Sequence, residues 1–321
     1  MPTFSHTIAI VNGQAGGGSM RRIWPQLLRE MVRATRGRLS VRWTPSPQAA
    51  TRLTRQALQD GADRVVAVGG DGTLHEVVNG FFENGQPIAP RAVLVLLPCG
   101  TGGDFRRALQ VGNGLASTRQ LWSPQIRAVD LLRVRYTTGG DTASRYVVNV
   151  ASCGLGGLVV QSVEHAPARL GAHVGPLGGT LVYLGAILYR LTTAPASHLH
   201  MEIDGRDLGV WSTHTVAVAN GPSFGGGLQI APGANIDDGR FDLVLLEDVS
   251  LSFLLRHAHR FYRGSHGSLA GVHRFCGTRL HLRPARPEPI WLEGDGEPLG
   301  RLPATVDLLP GALRVQSSPD G

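Results

Sequence analysis

Apolar runs and helical patterns alternate through the first third of the chain. The runs HTIAIVN, LSVRWT, RVVAV and AVLVLLP have the length and apolar character of buried strands. Between them we predict helices over 23–36, from Ser46 to Gly61 and over 73–83, with Ser46 as N-cap and Pro47 at the first helical position of the second. This βαβαβαβ order is typical of a parallel sheet with crossover helices.

From residue 128 onward the pattern is mostly that of strands. The predicted strands are AVDLLRVRY, RYVVNVA, HLHMEID, THTVAVAN, RFDLVLL, TRLHLRP, PIWLEGDGE, ATVDLL and LRVQ. Helical patterns interrupt them over 156–192 and 250–262. We therefore predict an antiparallel β domain at 128–299, after an α/β domain at 1–127 to which the strands of 300–316 return.

Length and composition agree with two folded domains. A chain of 321 residues exceeds the size at which one hydrophobic core stops growing. Its three cysteines have no CxxC spacing, which predicts neither a disulfide framework nor a zinc cluster and fits a reducing compartment. The N-terminal residues have no export-signal pattern.

The longest apolar stretch, 177–191, is shorter than the roughly 20 residues that cross a bilayer. It is predicted to be a buried core helix, the alternatives being a wall of an acyl-chain groove or a surface that touches a membrane.

The chain is basic, and arginine supplies all of the basic side chains other than histidine. Its 31 basic residues against 24 acidic ones give a net charge of +7 and favour an acidic partner such as anionic lipid, nucleic acid or a polyanionic substrate. Because lysine is absent, mechanisms that need a Walker A or Schiff-base lysine are excluded, and phosphate binding must use backbone N–H groups, arginine or a metal ion. The arginines are dispersed and no nucleic-acid recognition motif is present, so no nucleic-acid partner is predicted.

Three glycine-rich loops follow predicted strands. They are NGQAGGGS at 12–19, GGDGT at 69–73 and PCGTGGDF at 98–105. Glycines at the carboxyl ends of parallel strands allow backbone amides to approach phosphate, so together the loops predict a nucleotide site. For the second loop a structural alternative is a capping box formed by Thr73 and Glu76.

Two acidic segments are further candidates. EGDGEP at 293–298 is either a β-hairpin with an Asp-Gly type I′ turn or a source of a carboxylate that accepts a proton or places Mg²⁺. APGANIDDG at 231–239 is either a cation-binding turn or a solvated one. The histidines lack metal-ligand spacing, and none is assigned to catalysis.

The motifs NGQAG, GGDGTLHEVVNG, PCGTGGDF, APGANIDDG and EGDGEPLG occur in this order over about 7–315. Together they resemble the diacylglycerol kinase catalytic-domain family, which includes bacterial diacylglycerol and YegS-like lipid kinases and the sphingosine kinases. The resemblance implies an α/β + β fold: an N-terminal domain like those of phosphofructokinases and NAD kinases, a β-sandwich domain after it, and ATP in a cleft between them.

The resemblance also implies roles for particular residues. Asp295 would be the base that activates a lipid hydroxyl, with Glu297 beside it and Asp71 as the rival acidic residue. A structural Mg²⁺ would bind Asp238 and the main-chain oxygens of Asn235 and Arg240. The implied ATP contacts are Asn12, Gly13, Gln14, Ala15, Gly16, Thr44, Gly69, Gly70, Asp71, Gly72, Thr73, Glu76 and Thr101. One departure is Gly103, which stands where the family motif P-x-G-T-x-N-D-F has asparagine.

The resulting expectation is an ATP- and Mg²⁺-dependent lipid kinase. It would act in the cytoplasm at a transiently bound anionic membrane surface, and exposed strand edges would allow a homodimer. The alternatives are a soluble-substrate kinase of the NAD kinase type and a catalytically silent lipid- or nucleotide-binding protein. Diacylglycerol, a sphingoid base or another lipid alcohol could be the acceptor.

Overall fold

The computed structural model describes residues 4–100, 102–164 and 195–318. The chain divides into two units by internal contacts: unit 1 is Met1–Asp130 with Gly311–Gly321, and unit 2 is Leu131–Pro310. Thr101 and the predicted helix at 177–191 lie outside the described residues.

Unit 1 alternates strands and helices. In chain order they are β1 Thr7–Val11, α1 Met20–Thr35, β2 Leu39–Trp43, α2 Ala49–Gln59, β3 Arg64–Gly69, α3 Asp71–Gly80, the short hairpin β4 Phe82–Glu83 and β5 Gln86–Pro87, β6 Val93–Pro98 and α4 Asp104–Ala108. A 3₁₀ segment spans Gly114–Trp122.

The sheet of unit 1 is parallel, with strand order β2-β1-β3-β6. The last residues of the chain add a fifth strand, because Arg314 and Val315 pair in parallel with the start of β6. On one face, Val11, Val66 and Val68 pack against Met20 and Leu27 of α1. The predicted parallel α/β domain is thereby confirmed.

The predicted helix starts in unit 1 differ from the observed ones, and α1 begins at Met20 rather than at residue 23. Helix α2 begins at Ala49, and its N-cap is Gln48, in a left-handed conformation (φ 65°), so neither Ser46 nor Pro47 belongs to the helix. Helix α3 begins at Asp71 with Gly70 as N-cap, which leaves Thr73 inside the first turn. The capping box of Thr73 and Glu76 therefore does not form, since Glu76 turns toward α2 instead.

Unit 2 consists mainly of antiparallel strands. They are β7 Ile126–Thr138, which begins in unit 1, β8 Asp141–Val147, β9 Val150–Gly154, β10 Ser197–Ile203, β11 Arg206–Ala219, β12 Phe241–Glu247, β13 Val272–Gly277, β14 Arg279–Pro284, β15 Trp291–Gly294 and β16 Glu297–Gln316, which ends in unit 1. Helix α5 spans Leu155–Glu164, and helix α6 spans Leu251–Tyr262.

Six of these strands close into a hydrogen-bonded ring in the order β11-β9-β15-β16-β14-β10 and back to β11. Strands β12 and β13 extend the sheet from β11, and β7 and β8 extend it from β16. Closure leaves no free edge within the ring, and its interior is filled by Leu199, Met201, Val216, Leu280 and Val306 among others.

The strand pattern of unit 2 differs from the prediction in three ways: one predicted strand is divided, two predicted strands are joined, and one observed strand was not predicted. The predicted strand at 145–151 is two strands, β8 and β9, because the N–H groups of Val148 and Asn149 donate to a side chain between them. The separate predictions ATVDLL and LRVQ are one long strand, β16, and β13 was not predicted.

Within the described residues, no helix is both long and apolar enough to cross a membrane.

Candidate functional site

The three glycine-rich loops of unit 1 leave the carboxyl ends of β1, β3 and β6. These strands are neighbours in the sheet, and the strand order reverses at β1, since β2 lies on one side of it and β3 on the other. In open α/β sheets the crevice outside such a reversal is where ligands bind. The loops predicted from the sequence therefore lie together at the expected edge.

A side-chain hydrogen bond joins the first two loops. Asn12 Nδ2 donates to Thr73 Oγ1 at 3.1 Å, and Asn12 Oδ1 accepts the N–H of Gln14 at 2.9 Å. Asn12 thus fixes the turn of its own loop and ties it to the first turn of α3. Thr73 is buried, which suits a positioning role.

The second and third loops approach so closely that only glycine fits. A Cβ atom on Gly100 would lie 2.8 Å from the Cα of Gly70, which is shorter than real Cβ contacts. The first loop meets the third in the same way, because a Cβ on Gly16 would lie 2.5 Å from the Cys99 carbonyl oxygen. Backbone packed this tightly, with N–H groups at the start of α3, fits the polyphosphate of a nucleotide.

Asp71 connects the second loop to the third. Its Oδ2 accepts the N–H of Gly103 at 2.6 Å, and a Cβ on Gly102 would collide with the same oxygen. Asp71 therefore has a structural partner in the Gly103 N–H, and its predicted catalytic or metal role stays a prediction.

An arginine lies beside the first loop, where many phosphate sites have lysine. Arg21 Nε, in the first turn of α1, donates to the Gly13 carbonyl oxygen at 3.3 Å, and the side chain is exposed. The sequence did not single out Arg21, although the absence of lysine pointed to arginine in general. Thr44, just after β2, donates its N–H to the Val11 carbonyl oxygen at 2.9 Å and so borders the same loop.

Glu76 has a role that the sequence did not predict. Its Oε1 accepts the N–H of Gln48 and its Oε2 accepts the N–H of Ala50, each at 2.9 Å. The carboxylate therefore caps the N-terminus of α2, where Gln48 provides no side-chain cap of its own. The predicted contact of Glu76 with ATP stays a prediction.

The third loop carries Cys99, whose thiol is not activated as a nucleophile. Burial raises the pKa of the Cys99 thiol to about 11. Burial, and to a smaller extent the negative charge of Glu293, raises the pKa of the Cys153 thiol to about 12. Both thiols stay protonated at neutral pH, and a thiolate mechanism has no support at either position.

In unit 2, Asp295 lies at the tip of the β15–β16 hairpin. Asp295 (φ 54°) and Gly296 (φ 83°) both have positive φ, as a type I′ turn requires. The Asp295 carboxylate accepts the N–H groups of Val148 at 3.0 Å, Asn149 at 2.9 Å and Val150 at 3.3 Å. The hairpin and the carboxylate interpretations of this segment are thus compatible, because the turn fixes where the carboxylate lies.

Glu293, for which the sequence predicts no separate role, supports this turn. It is buried, its Oε1 accepts the hydroxyl of Ser152 at 2.5 Å, and its Oε2 accepts the N–H of Gly296 at 2.9 Å. Glu293 therefore orients the hairpin that presents Asp295. Its place in the acidic cluster was the only signal in the sequence. Glu297, the first residue of β16, is half-buried.

The predicted magnesium turn is a solvent-facing loop between β11 and β12. Asp238 Oδ1 accepts the N–H of Arg240 at 3.1 Å, and Asn235, Asp238 and Arg240 are all exposed. A turn carboxylate with main-chain carbonyls near it in sequence supplies the oxygen ligands that Mg²⁺ and Ca²⁺ accept, so the donor set fits a hard cation. The described residues contain no cluster of three or more His, Cys, Asp or Glu arranged for metal binding.

Two family models match the chain. The diacylglycerol kinase catalytic domain matches residues 6–134, and the YegS C-terminal NAD kinase beta sandwich-like domain matches residues 150–317. A protein named "Probable lipid kinase YegS-like" from Pectobacterium atrosepticum is 30% identical over 317 residues, 98% of this chain and 96% of its own. A "Diacylglycerol kinase" from Staphylococcus haemolyticus is 31% identical over 92% of this chain and 83% of its own.

Solved structures show the same fold. A crystal structure of a diacylglycerol kinase from Bacillus anthracis matches with a TM-score of 0.71 at 20% identity, over 100% of this chain and 99% of the other. Yeast NADH kinase complexed with NADH matches with a TM-score of 0.53 at 13% identity, over 97% of this chain and 82% of the other. The α/β domain followed by a β-sandwich-like domain, predicted from the sequence, is thus confirmed.

Proposed function

Because the chain belongs to the diacylglycerol kinase catalytic-domain family, with the YegS C-terminal domain, we propose that it transfers the γ-phosphate of ATP to a hydroxyl group of a lipid. The observation that carries this proposal is the convergence of three glycine loops on one edge of the unit 1 sheet. Backbone amides at that edge, with Arg21 beside them, supply what a lysine-free chain needs to bind a triphosphate.

The proposed reaction is a direct phosphoryl transfer. The carboxylate of Asp295 takes the proton of the lipid hydroxyl as its oxygen forms a bond to the γ-phosphorus. The bond from that phosphorus to the β,γ-bridging oxygen breaks, and ADP leaves with the electron pair. Three backbone donors and the Glu293-supported turn hold the Asp295 carboxylate in place for this step.

Mg²⁺ would screen the phosphate charges during transfer, as in other ATP-dependent kinases. Asp71 is the candidate side chain for that ion in unit 1, and the turn with Asn235, Asp238 and Arg240 is the candidate for a structural ion in unit 2. As an enzyme acting on lipids, the protein would work at the cytoplasmic face of a membrane.

The test is phosphate transfer from radiolabelled ATP to dispersed lipids with Mg²⁺, comparing the wild type with Asp295→Asn. We expect the substitution to lower the rate by about 10²- to 10⁴-fold, because an amide cannot accept the hydroxyl proton. ATP binding, measured by equilibrium dialysis, should be nearly unchanged. Chromatography of the labelled product over a panel of diacylglycerol, sphingoid bases and other lipid alcohols identifies the acceptor.

Asp204→Asn is the matched control. Asp204 (φ 50°) also precedes a glycine in a left-handed hairpin turn, and its carboxylate also accepts backbone N–H groups, those of Thr278 and Arg279. It should retain activity, which separates loss of a base from disturbance of a turn. If the Asp295→Asn protein were fully active, Asp295 could not be the base. If the wild type labelled no lipid, the proposed function would be contradicted.

A further inference from the structure

Helix α6 of unit 2 has one broad apolar face, whose inner part packs on described residues of the same unit and whose outer part is exposed. Its sequence is LSFLLRHAHRFY, with Ser250 as N-cap accepting the N–H of Phe253 at 3.2 Å. The inner face packs through Leu254 and Phe261 against a cluster that includes Val244 of β12 and Ala217 of β11. These contacts fix which side of the helix points outward.

The outer face carries Leu255, Ala258 and Tyr262. They are spaced three and four residues apart, so they form one ridge along the helix. Leu255 is 57% exposed and Tyr262 is 51% exposed, which places them among the most exposed large apolar side chains of the described residues. Single exposed apolar side chains are common on protein surfaces, but apolar side chains that adjoin one another and are rimmed by polar residues mark an interaction surface.

Basic side chains lie along one flank of this ridge. Arg256, His259 and Arg263 are all exposed, and neither arginine forms an ion pair with a residue that the structure describes. The helix itself contains no acidic residue. The acidic residues just before it, Glu247 and Asp248, lie within ion-pair distance of His273 and His214.

We propose that α6 is a membrane-docking element, whose ridge Leu255–Ala258–Tyr262 enters the headgroup region of an anionic bilayer. A helix with an apolar face, an arginine-rich flank and a tyrosine at its end has the composition of interfacial helices. The flanking arginines complement lipid phosphates, which is why an anionic bilayer is the partner that fits this surface. The proposal rests on the proposed function in one respect, because a lipid kinase has to reach its substrate at such a surface.

The first test is co-sedimentation with phosphatidylcholine vesicles that do or do not contain phosphatidylglycerol, with no nucleotide present. For the double variant Leu255→Ser/Tyr262→Ser we expect binding to phosphatidylglycerol vesicles to fall roughly ten-fold or more, because two apolar side chains no longer leave water. The matched control is Val210→Ser, since Val210 in β11 is 60% exposed and lies outside α6. It should bind like the wild type.

The second test removes the charges. Arg256→Gln and Arg263→Gln should each weaken binding to phosphatidylglycerol vesicles by about five-fold and leave binding to pure phosphatidylcholine unchanged, because each arginine contributes an electrostatic attraction near an anionic surface. Arg206→Gln, at the exposed start of β11, is the control for a general loss of positive charge.

The outcomes separate the docking proposal from the proposed function. Lipid phosphorylation in detergent micelles should be unaffected by the α6 variants while phosphorylation on vesicles falls with binding. If the double variant binds vesicles like the wild type, or if Val210→Ser loses as much binding, α6 is not the docking element. If the wild type is a dimer in analytical ultracentrifugation and the double variant is a monomer, the ridge is an interface between copies and the proposal is wrong. A wild type that binds through α6 and phosphorylates no lipid would contradict the kinase function alone.

Discussion

Gly103 shows how one residue can keep a backbone conformation while changing the chemistry around it. It has a left-handed backbone (φ 78°) as the N-cap of α4, and its N–H is the donor to Asp71. Asparagine and glycine are the two residues that adopt this conformation most readily, so the family's asparagine and this chain's glycine satisfy the same backbone requirement. What is lost is a side-chain cap on α4, because glycine cannot provide one.

Gly103→Asn and Gly103→Ala should therefore behave differently. The asparagine variant should be within about 0.5 kcal/mol of the wild type or slightly more stable, because it tolerates the left-handed conformation and can cap α4. The alanine variant should lose about 1 to 2 kcal/mol, because a Cβ is strained at this φ. The atoms nearest to an added Cβ in both variants belong to the flexible side chain of Arg106. Urea denaturation measures the difference, and equal stability of the two variants would contradict the backbone explanation.

At the scale of elements, the N-terminus of α2 is completed by a side chain from another helix. Gln48 adopts a left-handed conformation and gives no side-chain cap, so Glu76 of α3 accepts the N–H groups of Gln48 and Ala50 instead. A carboxylate at a helix N-terminus also interacts favourably with the helix dipole. The GGDGT loop, which leads directly into α3, is thereby linked to the packing of α2 against α3.

Glu76→Gln should lower the free energy of unfolding by about 0.5 to 1.5 kcal/mol, because the amide keeps one acceptor oxygen and loses the charge at the helix N-terminus. Denaturation without nucleotide measures this, so that a contact with ATP cannot contribute. Glu83→Gln is the control, because Glu83 is 40% exposed and its carboxylate makes surface contacts with Arg55 at 3.6 Å and with Gln59 Nε2 at 3.0 Å. If Glu83→Gln lowered the free energy of unfolding by as much as Glu76→Gln, the loss of a charge and not the loss of a cap would account for the effect.

The elements of unit 1 could be predicted because their signals are local. Apolar runs marked β1, β3 and β6, and glycines marked the loops after them. The start of α2 could not be predicted, because its cap comes from Glu76, in a different element. For the same reason the sequence does not predict the split between β8 and β9, because Val148 and Asn149 donate to Asp295, almost 150 residues away in the chain. Local pattern identifies elements, whereas contacts distant in sequence decide where they end.

At the scale of the whole molecule, the chain passes between its two units twice. It leaves unit 1 along β7 and returns along β16, and at the return Gly311 N–H donates to Asp130 Oδ1 at 2.7 Å within unit 1. On the unit 2 side, Asp307 of β16 is surrounded by arginines of neighbouring strands. Arg279 Nε lies 2.7 Å from Oδ1, and Arg135 and Arg133 lie 2.9 and 3.2 Å from Oδ2.

This cluster should make the stability of unit 2 depend on pH. Burial alone would raise the pKa of Asp307, but the hydrogen bonds from Arg279 and Arg133 and the charge of Arg135 hold its pKa below the usual range. Because the folded-state pKa lies below the unfolded-state value, the ionised carboxylate stabilises the fold at pH values above the unfolded-state pKa. That contribution is lost as the pH falls through the lowered folded-state pKa.

Asp307→Asn should therefore lower the free energy of unfolding by about 2 to 3 kcal/mol near neutral pH, because three arginines lose their common acceptor. Below about pH 4 the difference in unfolding free energy between variant and wild type should narrow, since the wild-type carboxylate is then becoming protonated as well.

Asp242→Asn provides the opposite case, because burial raises the pKa of Asp242 despite its pairing with Arg274. Its substitution should be neutral or slightly stabilising at neutral pH. Urea denaturation across this pH range distinguishes the two, and a gap for Asp307→Asn that stays constant down to pH 2 would show that the arginine cluster does not act through the charge of Asp307.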